Sequence, residues 1–209
     1  MEATAVKNHY QSLIKLFAEF YKYPDEAFME EFKNGTIEDE INTMSSIYSS
    51  AFDEEINLQH FIDQEHNLQK QFMKAFSGIS KPFTPPVESL YKQWSADTAS
   101  AKPLASKKGY YMGDSALHMK HLLHHYQLDI PENFTMTPDH LVIELEFYAF
   151  LIEEDMDAAM TFRDEHLNWI SDFEAALQQL NDIPFYQEVT KRLSQLLMVN
   201  PTDGFKREE

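Results

Sequence analysis

The stretch that most limits how this chain can fold runs from Thr137 to Ile152 and reads T-P-D-H-L-V-I-E-L-E-F-Y-A-F-L-I. Leu141, Leu145, Tyr148 and Ile152 fall on one helical stripe, and Val142, Ile143, Phe147, Phe150 and Leu151 fill most of the remaining circumference. Only Glu144 and Glu146 interrupt the apolar surface. A helix that is apolar nearly all round has to be enclosed by other helices. The sequence also specifies its start: Thr137 reads as the N-cap, Pro138 as the first helical residue with its preset φ, and Asp139 as a carboxylate facing the positive end of the helix dipole. The uninterrupted apolar run, Phe147 to Ile152, is far shorter than the ~20 residues a membrane span needs, so insertion into a bilayer is not expected.

The rest of the chain reads as helices around this one. Tyr10, Leu13, Ile14, Phe17, Phe20 and Tyr21 recur at helical spacing until Tyr23-Pro24. A short helix follows from Asp25 to Lys33, closing at Asn34-Gly35. A helix opened near Asp53 is expected to carry Ile56, Phe61, Ile62, Leu68, Phe72, Met73 and Phe76. Pro82, Pro85 and Pro86 form a rigid loop leading into a further helix over 87–94. Ala116 to Gln127, Ala158 to Leu180, and a last helix from Pro184 complete the pattern. No stretch alternates with period two long enough for a confident strand. The fold class is therefore all-α, a globular bundle of about eight to ten helices. Its organisation reads as an N-terminal helical half over 1–94, a linker or hinge over 95–112 rich in Ala, Ser and Lys, a C-terminal helical half over 113–200, and a frayed tail over 201–209. A hinge there would allow a domain-swapped homodimer as well as a monomer.

Seventeen Lys plus Arg stand against thirty-five Asp plus Glu, a net charge of −18. That balance repels phosphates, so nucleic acid is not an expected partner, and basic ligands are favoured. There is no cysteine, which excludes disulfides, thiol nucleophiles and cysteine-ligated metals. The N-terminus lacks a basic segment followed by an apolar one, so nothing marks it for export. Five glycines supply neither a phosphate-cradling loop nor a G-x-S-x-G nucleophile elbow, and no catalytic residues emerge. His118, His121 and His125 share one face of a helix, which keeps a metal-dependent helical enzyme as the alternative. Neither H-E-x-x-H nor E-x-x-H occurs, so these imidazoles are read as solvated or hydrogen-bonded and no metal is expected.

Three segments carry a resemblance to a known family. The pattern P-D-H-L-x-x-E-L-E-F at Pro138 to Phe147 resembles the signature of the TorD/DmsD family. Pro85-Pro86-Val87-Glu88-Ser89-Leu90-Tyr91 is similar to its P-P-x-E-S-x-Y segment. His166-Leu167-Asn168-Trp169, followed by Phe173 and Pro184-Phe185-Tyr186, is similar to its H-L-x-x-W…F…P-F-Y ending. These proteins are maturation chaperones of molybdenum-containing reductases exported by the twin-arginine route, and a related branch assembles membrane-anchored nitrate reductases.

The resemblance implies a TorD-like fold and a cytoplasmic chaperone without bond chemistry of its own. It implies binding of an immature molybdenum-cofactor reductase subunit, its twin-arginine leader, or both, with export delayed until the cofactor is in place. It assigns client or leader binding to the region of Pro86, Glu88, Ser89, Tyr91, Pro138, Asp139, His140 and Glu144. No cofactor is expected. Weak guanine-nucleotide binding is a further property the resemblance implies, though no residues here identify such a site.

Overall fold

The computed structural model describes residues 2–45, 57–62, 67–97 and 104–201. Among them are nine α-helices: α1 (Glu2–Phe20), α2 (Glu26–Lys33), α3 (Thr36–Ser45), α4 (Leu68–Phe76), α5 (Asp114–His125), α6 (Leu141–Glu154), α7 (Met156–His166), α8 (Ile170–Leu177) and α9 (Pro184–Leu197). No strand occurs among the described residues, only one isolated antiparallel bridge between Val87 and His140. The all-α class read from the sequence is what the structure has.

Helix α6 is the centre of the core. Ten of its fourteen residues are buried, Glu144 among them. It lies chiefly against α1 and α7. On the α1 side, Gln11 donates to the Ala149 carbonyl at 2.8 Å, Lys22 pairs with Glu146 at 2.7 Å, and the rings of Tyr10 and Tyr148 meet edge to face. Asp155 ends α6 and begins α7: its N–H donates to the Leu151 carbonyl, and its carboxylate accepts the N–H groups of Asp157 and Ala158. One residue thus satisfies orphan groups of two helix ends and fixes the corner between them.

The opposite side of the core joins the two ends of the chain. The Tyr10 hydroxyl donates to the Leu196 carbonyl at 3.1 Å, and Tyr21 and Thr190 share a buried hydrogen bond at 2.8 Å. Phe20, Phe32 and Phe185 pack edge to face, as do Phe72, Phe76 and Tyr186, contacts worth up to about 1.5 kcal/mol each beyond area burial. Gln71 of α4 accepts the Phe185 N–H at the start of α9 and donates to the Phe61 carbonyl.

Several expected boundaries are corrected. Helix α6 begins at Leu141, not Pro138, and is capped by His140, not Thr137; Thr137 to His140 is instead a tight turn closed by the His140 N–H on the Thr137 carbonyl at 3.0 Å. The preset φ of Pro138 suits the second position of that turn as well as it would a helix start. The N-cap is His140, whose Nδ1 accepts the Val142 N–H. Residues 87–94 form a single 3-10 turn, Glu88–Leu90, in place of a helix. Their backbone is recruited by the 139–141 segment, with Glu88 N–H on the Asp139 carbonyl and Leu141 N–H on the Pro86 carbonyl.

Phe61 lies in a 3-10 turn, Gln59–Phe61, and α4 starts only at Leu68 under an Asn67 cap. The expected start near Asp53 and residue Ile56 lie outside the described residues. The expected helix from Ala158 to Leu180 is two helices, α7 and α8, broken between His166 and Ile170. Within the 95–112 segment, Trp94 and Ser95 donate to the Lys107 and Ala105 carbonyls, and Asp114 at the head of α5 accepts from Ser95 and Ala96. No helix among the described residues is long and apolar enough to cross a membrane.

Candidate functional site

The three family-like segments, far apart in the chain, meet in one place. The turn before α6 pairs with the 86–89 segment through the backbone, and Asp139 Oδ2 accepts the Ser89 N–H at 2.8 Å. From α7, His166 Nδ1 lies 2.8 Å from Glu88 Oε2. From the corner between α7 and α8, the Trp169 indole donates to Glu144 Oε2 at 3.0 Å. Tyr91 stacks on Trp169 with ring centres 5.0 Å apart and donates its hydroxyl to the Pro85 carbonyl. Each segment contributes both an apolar wall and a polar partner for another.

The carboxylates in this knot are buried, which forces their charges apart. Glu88, Asp139 and Glu144 are at most 1% exposed. Burial alone would raise the Glu88 carboxyl, but His166, the hydrogen bond from Glu144 and the ammonium of Lys92 at 2.5 Å hold it below the usual glutamate range. Glu144 goes the other way: burial and then the Glu88 charge push it well above. The pair therefore holds one proton on Glu144, which donates it toward an ionised Glu88. Burial likewise raises Asp139, with its Ser89 bonds opposing. His140 is driven down to about 4 by burial, consistent with a neutral ring whose Nδ1 lone pair caps α6.

The Glu88–His166 pair is the floor of an open cavity of about 460 Å³, also lined by Lys92, Ala96, Asp114, His118 and Glu165. His118, an exposed residue of α5, places Nδ1 2.8 Å from His166 Nε2. The chain Lys92, Glu88, His166, His118 thus runs from α5 into the core. Lys92 also donates to the Glu165 carbonyl. An exposed aromatic side chain stands beside the knot: Tyr111 is 47% exposed, and Tyr110, which precedes it in the chain, is 44% exposed. Tyr111 is near enough for the Asp139 charge, after burial, to raise its phenol.

Of the residues assigned to client or leader binding, Pro86, Glu88, Ser89, Pro138, Asp139 and Glu144 are buried, and Tyr91 and His140 are partly buried. The structure brings all eight together, mostly facing inward. His166 and Trp169 belong to the same constellation but were not singled out as site residues; the H-L-x-x-W segment was the signal available. His118 does not gather His121 and His125 around itself; its partner is His166 on another helix.

Residues 47–183, more than half of the chain, match the family model described as nitrate reductase delta subunit. No curated protein matches the chain. Among solved structures, it is similar to a candidate redox enzyme maturation protein from Archaeoglobus fulgidus. That likeness has 21% identity and a TM-score of 0.50, and it covers 88% of this chain and 93% of that one. At that identity the likeness is one of fold.

Proposed function

The chain belongs to the nitrate reductase delta subunit family, and on that premise we propose that it is a maturation chaperone for the catalytic subunit of a molybdenum-cofactor reductase. It binds the immature subunit, keeps the cofactor site accessible during insertion, and releases the folded holoenzyme because it binds that form less tightly. The observation that carries this reading is the convergence of the three family-like segments on one buried knot beneath an exposed aromatic and charged surface. Pro86, Glu88, Ser89, Pro138, Asp139 and Glu144 act from below, fixing the two loops; Tyr91, His140 and the neighbouring Tyr110 and Tyr111 offer the surface to the client. The protein performs no bond chemistry of its own and works in the cytoplasm.

Recognition of a twin-arginine leader belongs to this proposal. An acidic chain with apolar surface suits a ligand that pairs arginines with an apolar segment. Calorimetry with a twin-arginine leader peptide and a scrambled, arginine-free control tests it. Binding of the leader alone is the expected result; equal binding of both, or of neither, overturns leader recognition. The description of the family model favours a second reading in which the client is a nitrate reductase. In that case the catalytic subunit, rather than an export leader, carries the binding energy, and a leaderless subunit binds as tightly as a full-length one.

A further inference from the structure

We propose that His118, Glu165 and His166 form a binding site for a single first-row divalent cation, of which zinc is the representative. The expectation from sequence alone was no metal, because the only arrangement it offered was His118, His121 and His125 along one helix. The structure assembles a different set, from α5 and the end of α7. His166 Nδ1 faces the buried carboxylate of Glu88 at 2.8 Å, a contact that occupies Nδ1 and turns Nε2 toward the cavity.

Nε2 points into the cavity at Nδ1 of His118, 2.8 Å away. A hydrogen bond at that distance holds one proton between the two nitrogens, and a cation can take that proton's place. Zinc–nitrogen bonds of about 2.0–2.1 Å in tetrahedral geometry put two imidazole nitrogens roughly 3.3 Å apart. The His118 ring, exposed on α5, has only to withdraw by about half an ångström to reach that separation. Glu165 brings a carboxylate oxygen to the same point, the three ligand atoms lying within 4.8 Å of one another. The cavity of about 460 Å³ leaves room for water at the remaining positions.

One further feature belongs to a built site: Glu88 behind His166 forms the carboxylate–histidine arrangement that orients imidazole ligands. The competing cation in the cavity is Lys92, but its ammonium sits on the far oxygen of Glu88 and on the Glu165 carbonyl, away from the two facing nitrogens. A cation here ties α5 to the α7–α8 corner, next to the surface proposed for the client.

The test is zinc titration of the full, tag-free chain by calorimetry, with cobalt(II) absorption as a report on coordination. One zinc per chain is expected. His118→Ala and Glu165→Gln are each expected to weaken binding at least about tenfold, while the double variant His121→Ala/His125→Ala binds as the natural chain does. Both altered ligand positions are exposed, and circular dichroism confirms that the variants are folded. No binding below about 1 mM, or binding unchanged by His118→Ala, overturns the site.

Discussion

His166 Nδ1 and Glu88 Oε2 lie 2.8 Å apart, although 78 residues separate them in the chain, and both side chains are almost completely buried. This contact locks the segment that begins at His166 to the Pro85–Tyr91 segment. Removing the imidazole leaves a buried carboxylate with Lys92 as its remaining ion-pair partner among the described residues. His166→Ala is therefore expected to destabilise the fold by about 3–5 kcal/mol in denaturant unfolding. Glu88→Gln, which keeps the shape and removes the charge, is expected to cost less than half of that. Equal losses for the two variants would contradict an ionised Glu88.

Glu144 is the protonated member of the carboxylate pair, and its raised value has a defined sign. The folded chain holds this proton more tightly than the unfolded one does. Stability from it is complete below the ordinary glutamate range and falls as pH rises from that range through the raised folded value. Glu144→Gln cannot lose a proton, yet it still accepts from Trp169 and donates toward Glu88. It is expected to be at least as stable as the natural chain at neutral pH and to lose this decline. Glu144→Ala leaves the indole N–H unpaired beside a void and is expected to cost about 2–4 kcal/mol. Urea unfolding from pH 4 to 8 checks both.

His140 acts in the opposite direction on the acid side. Its folded value of about 4 lies below the ordinary 6.5, so unfolding takes up a proton between those limits and stability falls as pH drops through them. The loss amounts to roughly 3 kcal/mol when complete. His140→Asn retains an N-cap acceptor for α6 and removes the titration. The same urea series should show the acid-side slope between pH 6.5 and 4 flattened in this variant, with little change at pH 7.

Gly113, at the N-cap of α5, is required by space. A Cβ there would lie 2.7 Å from the Trp94 carbonyl oxygen, which already accepts the Asp114 N–H at 2.8 Å. The obstacle is backbone, so it cannot rotate away. Gly113→Ala is expected to lower stability by about 1–3 kcal/mol, with a thermal melt as the readout. A melt unchanged within error would contradict the tight approach of the 94–96 segment to α5.

The all-helical class and the enclosed central helix were legible because hydrophobic periodicity is a local signal, and the buried faces of α1, α6 and α9 follow it. The three segments that build the candidate site were legible as patterns. Their function in the fold was not, because it depends on partners far away in the chain. Asp139 reads as a helix-dipole carboxylate until Ser89, 50 residues earlier, supplies an N–H that turns it inward. The start of α6 shifts from Pro138 to Leu141 for the same reason. The break between α7 and α8 has no Gly or Pro to announce it; it places Trp169 between Glu144 and Tyr91, a requirement visible only in three dimensions. His118 was noticed for its neighbours along the helix, whereas the residue it meets is His166.

On the proposed function, this chain holds a reductase catalytic subunit before, and not after, its cofactor arrives. The most direct measurement isolates the chain from its own cell, identifies what is bound by mass spectrometry, and determines the molybdenum content of the bound protein. The expected result is a molybdenum-reductase catalytic subunit that is free of molybdenum while bound, and no complex with the same subunit once the metal is in place. Recovery of no reductase subunit, or of the cofactor-loaded form held equally well, would contradict it.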